Sequence, residues 1–406
     1  MNAENSISKD KNLLLVFFQR EEEKTPEIAD LIQNFCGIVV ENPQTVEKQF
    51  QNKKIYICGN LENIPLDFQP FIIIKELSFG YENWVRNGFK LLSIGQVPII
   101  IANAGVFFRD FFEKKDYFEQ ISKAHQFQEL TESSKPSKAF RKGIYITEVR
   151  QEISPTNEES LHFHLLRCSS NFSGATDNFR QPDREIITAI NEAASAVFEQ
   201  KTDLNHVLAQ IYENSVSADL KEKKAKIKAH SDKTKDMPAN GLIAFCTFYD
   251  KTDFQPLTQS KKDNFDWVYK EISGFTRLQF KLKDAENNPN LAKEFTVILY
   301  PNSVFIIPLS TNRLYTHEIK PSMLNIDKIP TRMGYVVRCS DKKAVFINGQ
   351  TFVKEGDEWV KLSEMSDENM SNLKNSYQEE NQTTHKIEYG KVDFSMNEGD
   401  YQKPIF

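Results

Sequence analysis

Short apolar runs separated by polar turns open the chain. Positions 13–18, 38–40, 55–58 and 71–74 are apolar at nearly every residue, the pattern of strands buried on both faces. After the first run, Thr25 precedes Pro26, an N-cap followed by a proline at the first helical position. Ile28, Leu31, Ile32 and Phe35 then recur at helical spacing, and Gly37 can end that helix. Strands alternating with a helix predict a small α/β unit up to about residue 90. It holds no glycine-rich phosphate loop, which favours an accessory scaffold over a nucleotide-binding unit. The longest apolar stretch, 97–108, is interrupted by Asn103 and Gly105 and falls short of the roughly 20 residues that a membrane helix needs.

Residues 126–142 are polar and rich in Ser and Lys, which predicts a linker or surface loop. Beyond Gly143 the pattern is mostly β. One helix interrupts it: Pro182 and Asp183 open it, and Ile186, Ile187, Ile190, Ala194, Val197 and Phe198 line one face. Strand-like runs follow at 206–213, 226–232, 241–249, 275–283, 294–309, 313–320 and 332–339. With turns but no helices between them, they predict a sandwich or jelly roll. After about residue 355 Asp, Glu, Asn, Ser and Gln dominate, which predicts a flexible tail. The expected organisation is a small α/β accessory unit at 1–125, a strand-rich domain at 143–355 and a polar tail at 356–406, an α+β chain in all.

Composition narrows the classes. At 406 residues, two domains are the better expectation. The net charge of -6 excludes a molecule built as a whole to coat nucleic acid or anionic lipid. The 31 phenylalanines supply bulky core material. The 5 cysteines are scattered and no CxxC occurs, which argues against a disulfide framework or a cysteine zinc site and for a reducing compartment. The run at 13–18 is too short for a signal core. A soluble intracellular chain, cytoplasmic or nuclear, is expected, with no membrane and no evident obligate partner.

The chemistry centres on His230-Ser231-Asp232. In a strand, positions i and i+2 share a face, so the imidazole and the carboxylate can converge on one ion. His317 lies in a later strand-like run. Two imidazoles and one carboxylate on one side of a metal leave three positions open, the arrangement of non-heme Fe(II) oxygenases. Arg332 and Arg338 lie six apart in an otherwise apolar run and so share a face. Buried arginine is rare unless paired, and a guanidinium binds carboxylate through two parallel hydrogen bonds.

Together these residues resemble the AlkB-like branch of the Fe(II)/2-oxoglutarate dioxygenases, over roughly residues 165–345. That family carries H-x-D, a second His after an apolar strand, and then R-x5-R, matched here by His230, Asp232, His317, Arg332 and Arg338. Its Asn-x-Tyr pair is met by Gln210 and Tyr212, the amide being one methylene longer. The resemblance implies a double-stranded β-helix (jelly-roll) catalytic domain with flanking helices. It implies iron held by His230, Asp232 and His317. Arg332 would bind the distal carboxylate of 2-oxoglutarate, and Arg338 would lie nearer the metal. It also implies hydroxylation or oxidative demethylation of a substrate C–H bond with O2, releasing succinate and CO2.

The substrate positions depart from that pattern. Thr234 stands where members that repair nucleobases often carry an acidic residue, and an insert at 213–224 lengthens the path from Tyr212 to His230. Lys221, Lys223, Lys224, Lys226, Lys228, Lys233 and Lys235 make a basic stretch, most simply a solvated loop. Lys228, by the period of two, would share a face with His230 and could meet a substrate anion. The loop 168–180 and the aromatic stretch 267–275 are further pocket candidates, against surface loop and core respectively. His162 and His164 form an i, i+2 pair with no third ligand near in sequence. A nucleic acid, a protein side chain or a small metabolite all stay open as substrate. A catalytically silent β-helix binding domain and a cupin-type metalloenzyme without 2-oxoglutarate stay open as alternatives. The intact set of five residues argues against the first, and the two arginines argue against the second.

Overall fold

The computed structural model describes residues 4–18, 24–43, 52–62, 71–82, 89–132, 135–153, 158–167, 172–217 and 219–406. The early apolar runs form β1 (Asn12–Phe17), β2 (Ile38–Glu41), β3 (Lys54–Asn60) and β4 (Phe71–Phe79). With β5 (Lys90–Leu92) they make a parallel sheet in the order β2-β1-β3-β4-β5. Leu13, Leu14, Leu15 and Val16 of the inner strand β1 are fully buried, as a parallel strand covered on both faces requires. Helix α1 (Pro26–Asn34) starts as its sequence predicts: the Thr25 side chain accepts from the Ile28 N–H, and Ile28 and Leu31 face inward.

The apolar stretch at 97–108 is a hairpin of β6 (Ile99–Ile101) and β7 (Gly105–Phe108). It leaves the parallel unit and pairs with β23 (Val304–Pro308) in the largest sheet. That sheet runs β12-β9-β13-β25-β17-β23-β7-β6, with β8 paired to β9 at its edge. Its strands are β8 (Gln128–Glu132), β9 (Lys135–Thr147), β12 (Asp177–Asn178), β13 (His206–Tyr212), β17 (Leu242–Tyr249) and β25 (Arg332–Arg338), with β23, β7 and β6. The segment 126–142, expected as a linker, is therefore corrected to strand. Its polarity is that of an edge hairpin, which keeps one face and a rim in water. Lys142 there reaches Glu129 and Glu213, while Leu130 and Ala139 are buried.

One face of the large sheet is covered by α2 (Tyr117–Ala124) and α3 (Gln181–Val197). Helix α3 buries Ile186, Ile190, Ala194 and Val197. The other face meets a four-stranded antiparallel sheet, β16-β24-β21-β22. These are β16 (Ile227–His230), β24 (Tyr315–Lys320), β21 (Arg277–Leu282) and β22 (Glu294–Ile298). Phe245, Phe305 and Ile307 from the large sheet and Leu278, Phe280 and Leu282 from the small one share the core between them. The run expected at 294–309 thus divides into β22 and β23, one in each sheet, and a short helix, α4 (Leu309–Leu314), not expected among the strands, links β23 to β24. A five-stranded antiparallel sheet joins β10 (Arg150–Ile153) and β11 (Glu159–Leu165) to β26 (Lys342–Ile347), β27 (Gln350–Glu355) and β28 (Glu358–Lys361). Small hairpins complete the rim: β14 (Ser215–Val216) with β15 (Glu222–Lys223), and β18 (Thr258–Gln259), β19 (Trp267–Tyr269) and β20 (Ile272–Ser273).

The expected flexible tail is a second correction. After β28, residues Asp367–Gln382 form helix α5, capped by the Ser366 side chain, and bury Leu373, Tyr377 and Glu380. Few apolar positions suffice because much of the attachment is polar, through hydrogen bonds described below. The whole is a mixed α+β chain, mostly strand. Among the described residues no helix is long and apolar enough to cross a membrane.

Candidate metal and anion site

His230 closes β16 directly opposite His317 on β24, past a register shift in that pairing. The imidazole centroids lie 4.4 Å apart. Asp232 turns inward just beyond, with Oδ1 3.6 Å from His230 Nε2 and 3.9 Å from His317 Nε2. One donor atom from each of the three lies within 4.8 Å of the others, a spacing at which one ion can bind all three. His230 Nδ1 is 2.8 Å from the Lys228 carbonyl, to which it donates, so Nε2 is the nitrogen that faces the cluster. His317 is buried against Phe245 and Phe280. Burial, followed by the neighbouring His230, pushes its pKa down to about 3, so it is a neutral donor. Burial opposes ionisation of Asp232, and Arg338, His230 and His317 together outweigh it, holding the carboxyl well below its ordinary range. The contact is Arg338 Nε to Asp232 Oδ2 at 2.8 Å. Two imidazoles and one carboxylate, gathered on one side, fit an Fe(II)-type ion with open positions.

The segment carrying His230 and Asp232 is pinned from two sides. Asn312, fully buried, accepts the Asp232 N–H at 2.8 Å and donates to the Asp232 carbonyl at 2.9 Å. Helix α5 supplies the rest: Asn381 accepts the Ser231 N–H at 2.8 Å, Lys233 donates to the Tyr377 carbonyl, and Glu380 accepts from Thr234 N–H and hydroxyl. Sequence reading missed Asn312, Glu380 and Asn381. The polarity of α5, taken as the mark of a tail, was the available signal.

A second cluster occupies the same face of β25. Register places Tyr212 of β13 opposite Arg332, and Gln210 opposite Gly334. Arg332 is 4% exposed and its guanidinium lies flat on Tyr212, Cζ 3.8 Å from the ring centroid. Its Nε and Nη2 are buried without a hydrogen-bond partner. Gly334 makes this possible: a Cβ there would stand 3.1 Å from Arg332 Nη1 and 3.2 Å from the Tyr212 ring. The Tyr212 hydroxyl donates to Gln210 Oε1 at 3.4 Å. Across β25, Thr247 of β17 faces Gly334 with its Oγ1 also buried and unpartnered. One strand further, Arg141 of β9 pairs with Tyr212, is 8% exposed and has an unpartnered buried Nε. It fell inside the segment read as a linker.

The structure thus gathers His230, Asp232, His317 and Arg338 at one end of this face, and Arg332, Tyr212 and Gln210 at the other. It does not bring in the two substrate candidates. Lys228 is exposed and meets the site through its carbonyl, and Thr234 spends its hydrogen bonds on Glu380. Two of the lysines have other work: Lys224 donates to the Ser322 and Leu324 carbonyls, and Lys223 lies over Phe140. His162 on β11 sits beside Ser160 and, on the neighbouring β10, Glu152. In the aromatic stretch Phe275 is buried and Trp267 packs on Phe254. Residues 168–171 of the candidate loop lie outside the described residues, and Phe172 packs on Tyr145.

No family model and no curated protein matches the chain. Among solved structures, it is similar to that of OsALKBH1, at 12% identity and a TM-score of 0.33 over 58% of this chain and 96% of that one. It is also similar to the selenomethionine-labelled Fe(II)/(alpha)ketoglutarate-dependent dioxygenase TqaL, at 8% identity and a TM-score of 0.23 over 58% and 76%. Both likenesses are distant.

Proposed function

We propose that the chain is an Fe(II)- and 2-oxoglutarate-dependent dioxygenase, with β13, β25, β17 and β23 against β16, β24, β21 and β22 as its double-stranded β-helix. The observation that carries this reading is Arg332. A buried guanidinium with two unpartnered nitrogens, beside a His-Asp-His cluster, calls for an anion from outside the chain. His230, Asp232 and His317 hold the metal. Arg338 keeps Asp232 ionised and oriented. Arg332 binds the distal carboxylate of 2-oxoglutarate, with Tyr212 and Gln210 beside it. When bound, iron with 2-oxoglutarate and O2 supplies the oxidation of a substrate C–H bond, yielding succinate and CO2. The aromatic packing of Phe245 and Phe280 around His317 keeps water from the buried side of the metal. A cupin-type metalloenzyme would use the three ligands and leave Arg332 without a task, and a silent binding domain would need neither.

Anaerobic addition of Fe(II) and 2-oxoglutarate to the purified chain should give a visible charge-transfer band. The band should be absent in His230→Ala and need about tenfold or more 2-oxoglutarate in Arg332→Ala. Folded protein that gives no band would favour the silent-domain reading.

A further inference from the structure

Four arginines are buried among the described residues: Arg141, Arg167, Arg332 and Arg338. Two of them meet carboxylates within the chain, Arg167 with Asp236 and Arg338 with Asp232. Arg332 has its proposed task. Arg141 has none. Among the described residues its buried Nε has no hydrogen-bond partner. The side chains on β9 alternate, and Lys142, on the opposite face, takes both Glu213, at 2.8 Å, and Glu129, at 3.6 Å.

Cross-strand register sets Arg141, Tyr212, Arg332 and Tyr249 in one row on one face of the sheet. Arg141 and Arg332 lie two strand spacings apart, about 10 Å between backbones, with Tyr212 between them. The next row toward the metal is Gly143, Gln210, Gly334 and Thr247, in which two positions have no side chain. At the strand ends, a cleft of about 700 Å³ is lined by Phe140, Glu213 and Thr331, the chain neighbours of Arg141, Tyr212 and Arg332. Glu213 there is held by Lys142, and Asp253, also on its wall, accepts the Thr331 N–H.

We propose that Arg141 binds an oxyanion, a carboxylate or a phosphate, carried by the molecule that this site acts on. It does so on the far side of Tyr212 from the 2-oxoglutarate carboxylate. Both guanidiniums then have an external partner, and Tyr212 separates the two anions. The assignment of the Arg141 anion to the substrate rests on the proposed dioxygenase reading. Anion binding at Arg141 does not.

The test uses thermal melts of the full chain without added metal, at constant ionic strength set with NaCl. Saturating 2-oxoglutarate is present, and inorganic phosphate and acetate are the probes. In the wild type at least one probe should raise the melting temperature further, as any ligand of the native state must. Arg141→Gln should need about tenfold or more probe for the same shift, and Arg141→Lys should recover part of it. Phosphate acting alone identifies a phosphate site, and acetate acting alone a carboxylate site. Without any probe, Arg141→Gln should melt no lower than the wild type, since it removes an unpaired buried charge. An Arg141→Gln variant that melts several degrees lower in probe-free buffer overturns the proposal, because Arg141 would then be structurally paired. So does a wild type that responds to neither probe, or a variant that responds as the wild type does. Failure of 2-oxoglutarate itself to stabilise the wild type counts against the dioxygenase reading, while the phosphate and acetate arms still report on Arg141.

Discussion

Strand β25 treats buried charge in opposite ways on its two faces. On the helix-covered face, Tyr335 donates to Asp183 at 2.8 Å. The other Asp183 oxygen takes His125 Nε2 at 2.9 Å and the Arg180 N–H at 2.8 Å. His125 Nδ1 meets Asp177 at 2.7 Å, and Arg180 reaches Asp177 as well. Every member of that cluster finds its partner inside the protein. On the opposite face Arg338 has its counter-charge in Asp232, and Arg332 stacks on Tyr212 with Nε and Nη2 unmet. A fold can bury charge cheaply only where it also buries the counter-charge. Where one face of a strand does so and the other does not, the incomplete face is the one awaiting a ligand.

The sharpest way to break this contrast is to cut one residue from each face. Asp183→Ala strands His125, the Tyr335 hydroxyl and the Arg180 N–H, and should cost about 3–5 kcal/mol of stability. Arg332→Met removes a charge that has no internal partner, and should leave the ligand-free chain as stable as before or more so. Urea unfolding followed by circular dichroism measures both. Equal losses would show that Arg332 is as structural as Asp183, and the distinction between the faces would fail.

A smaller effect should come from pH. Burial works against a charged His125, and the hydrogen bonds to Asp177 and Asp183 outweigh it, raising the pKa from 6.5 to about 9. Between those values the native state holds a proton that the unfolded chain has released, so stability falls as pH rises. The contribution, about 3 kcal/mol at most by linkage, is fully present below pH ~6.5 and lost as pH rises through about 9. Other groups titrate in the same window: burial lowers Lys283 to about 8, which acts in the opposite sense. The readout is therefore the difference between wild type and His125→Gln, measured from pH 6 to 9.5. A difference that stays flat with pH would mean that His125 is neutral in the cluster.

What was legible in the sequence follows the same division. The apolar strands β1 to β4 and the stripe of α3 could be read because hydrophobic period reports burial directly. His230, Asp232, His317, Arg332 and Arg338 could be read because chemically unusual residues sat at strand spacing. Arg141, Asn312 and Asn381 could not. Arg141 lies in an edge hairpin whose polarity matches that of a loop. The two asparagines act through the backbone of Ser231 and Asp232, a contact made only when segments distant in sequence meet. Helix α5 was hidden for a related reason: its inner face is held by Glu380 and Asn381 as well as by Leu373 and Tyr377, so it carries little apolar period.

The comparison sharpens last at the other end of that face, where His230, Asp232 and His317 lie close enough to hold one ion. Asn381 touches neither imidazole nor carboxylate. It accepts the N–H of Ser231, the residue between His230 and Asp232, so its effect must pass through the placement of those two side chains. Asn381→Ala frees one N–H and should cost about 1 kcal/mol of stability. Its larger signature should be a fall of about tenfold in metal affinity, the usual result of losing an outer partner of a ligand. Metal titration of Asn381→Ala can be set against Ser376→Ala, whose hydroxyl bonds only within α5, to the Asn372 carbonyl. Helix destabilisation alone would weaken metal binding in both variants. A loss confined to Asn381→Ala marks α5 as part of the metal-binding scaffold, because only Asn381 reaches the segment between the ligands.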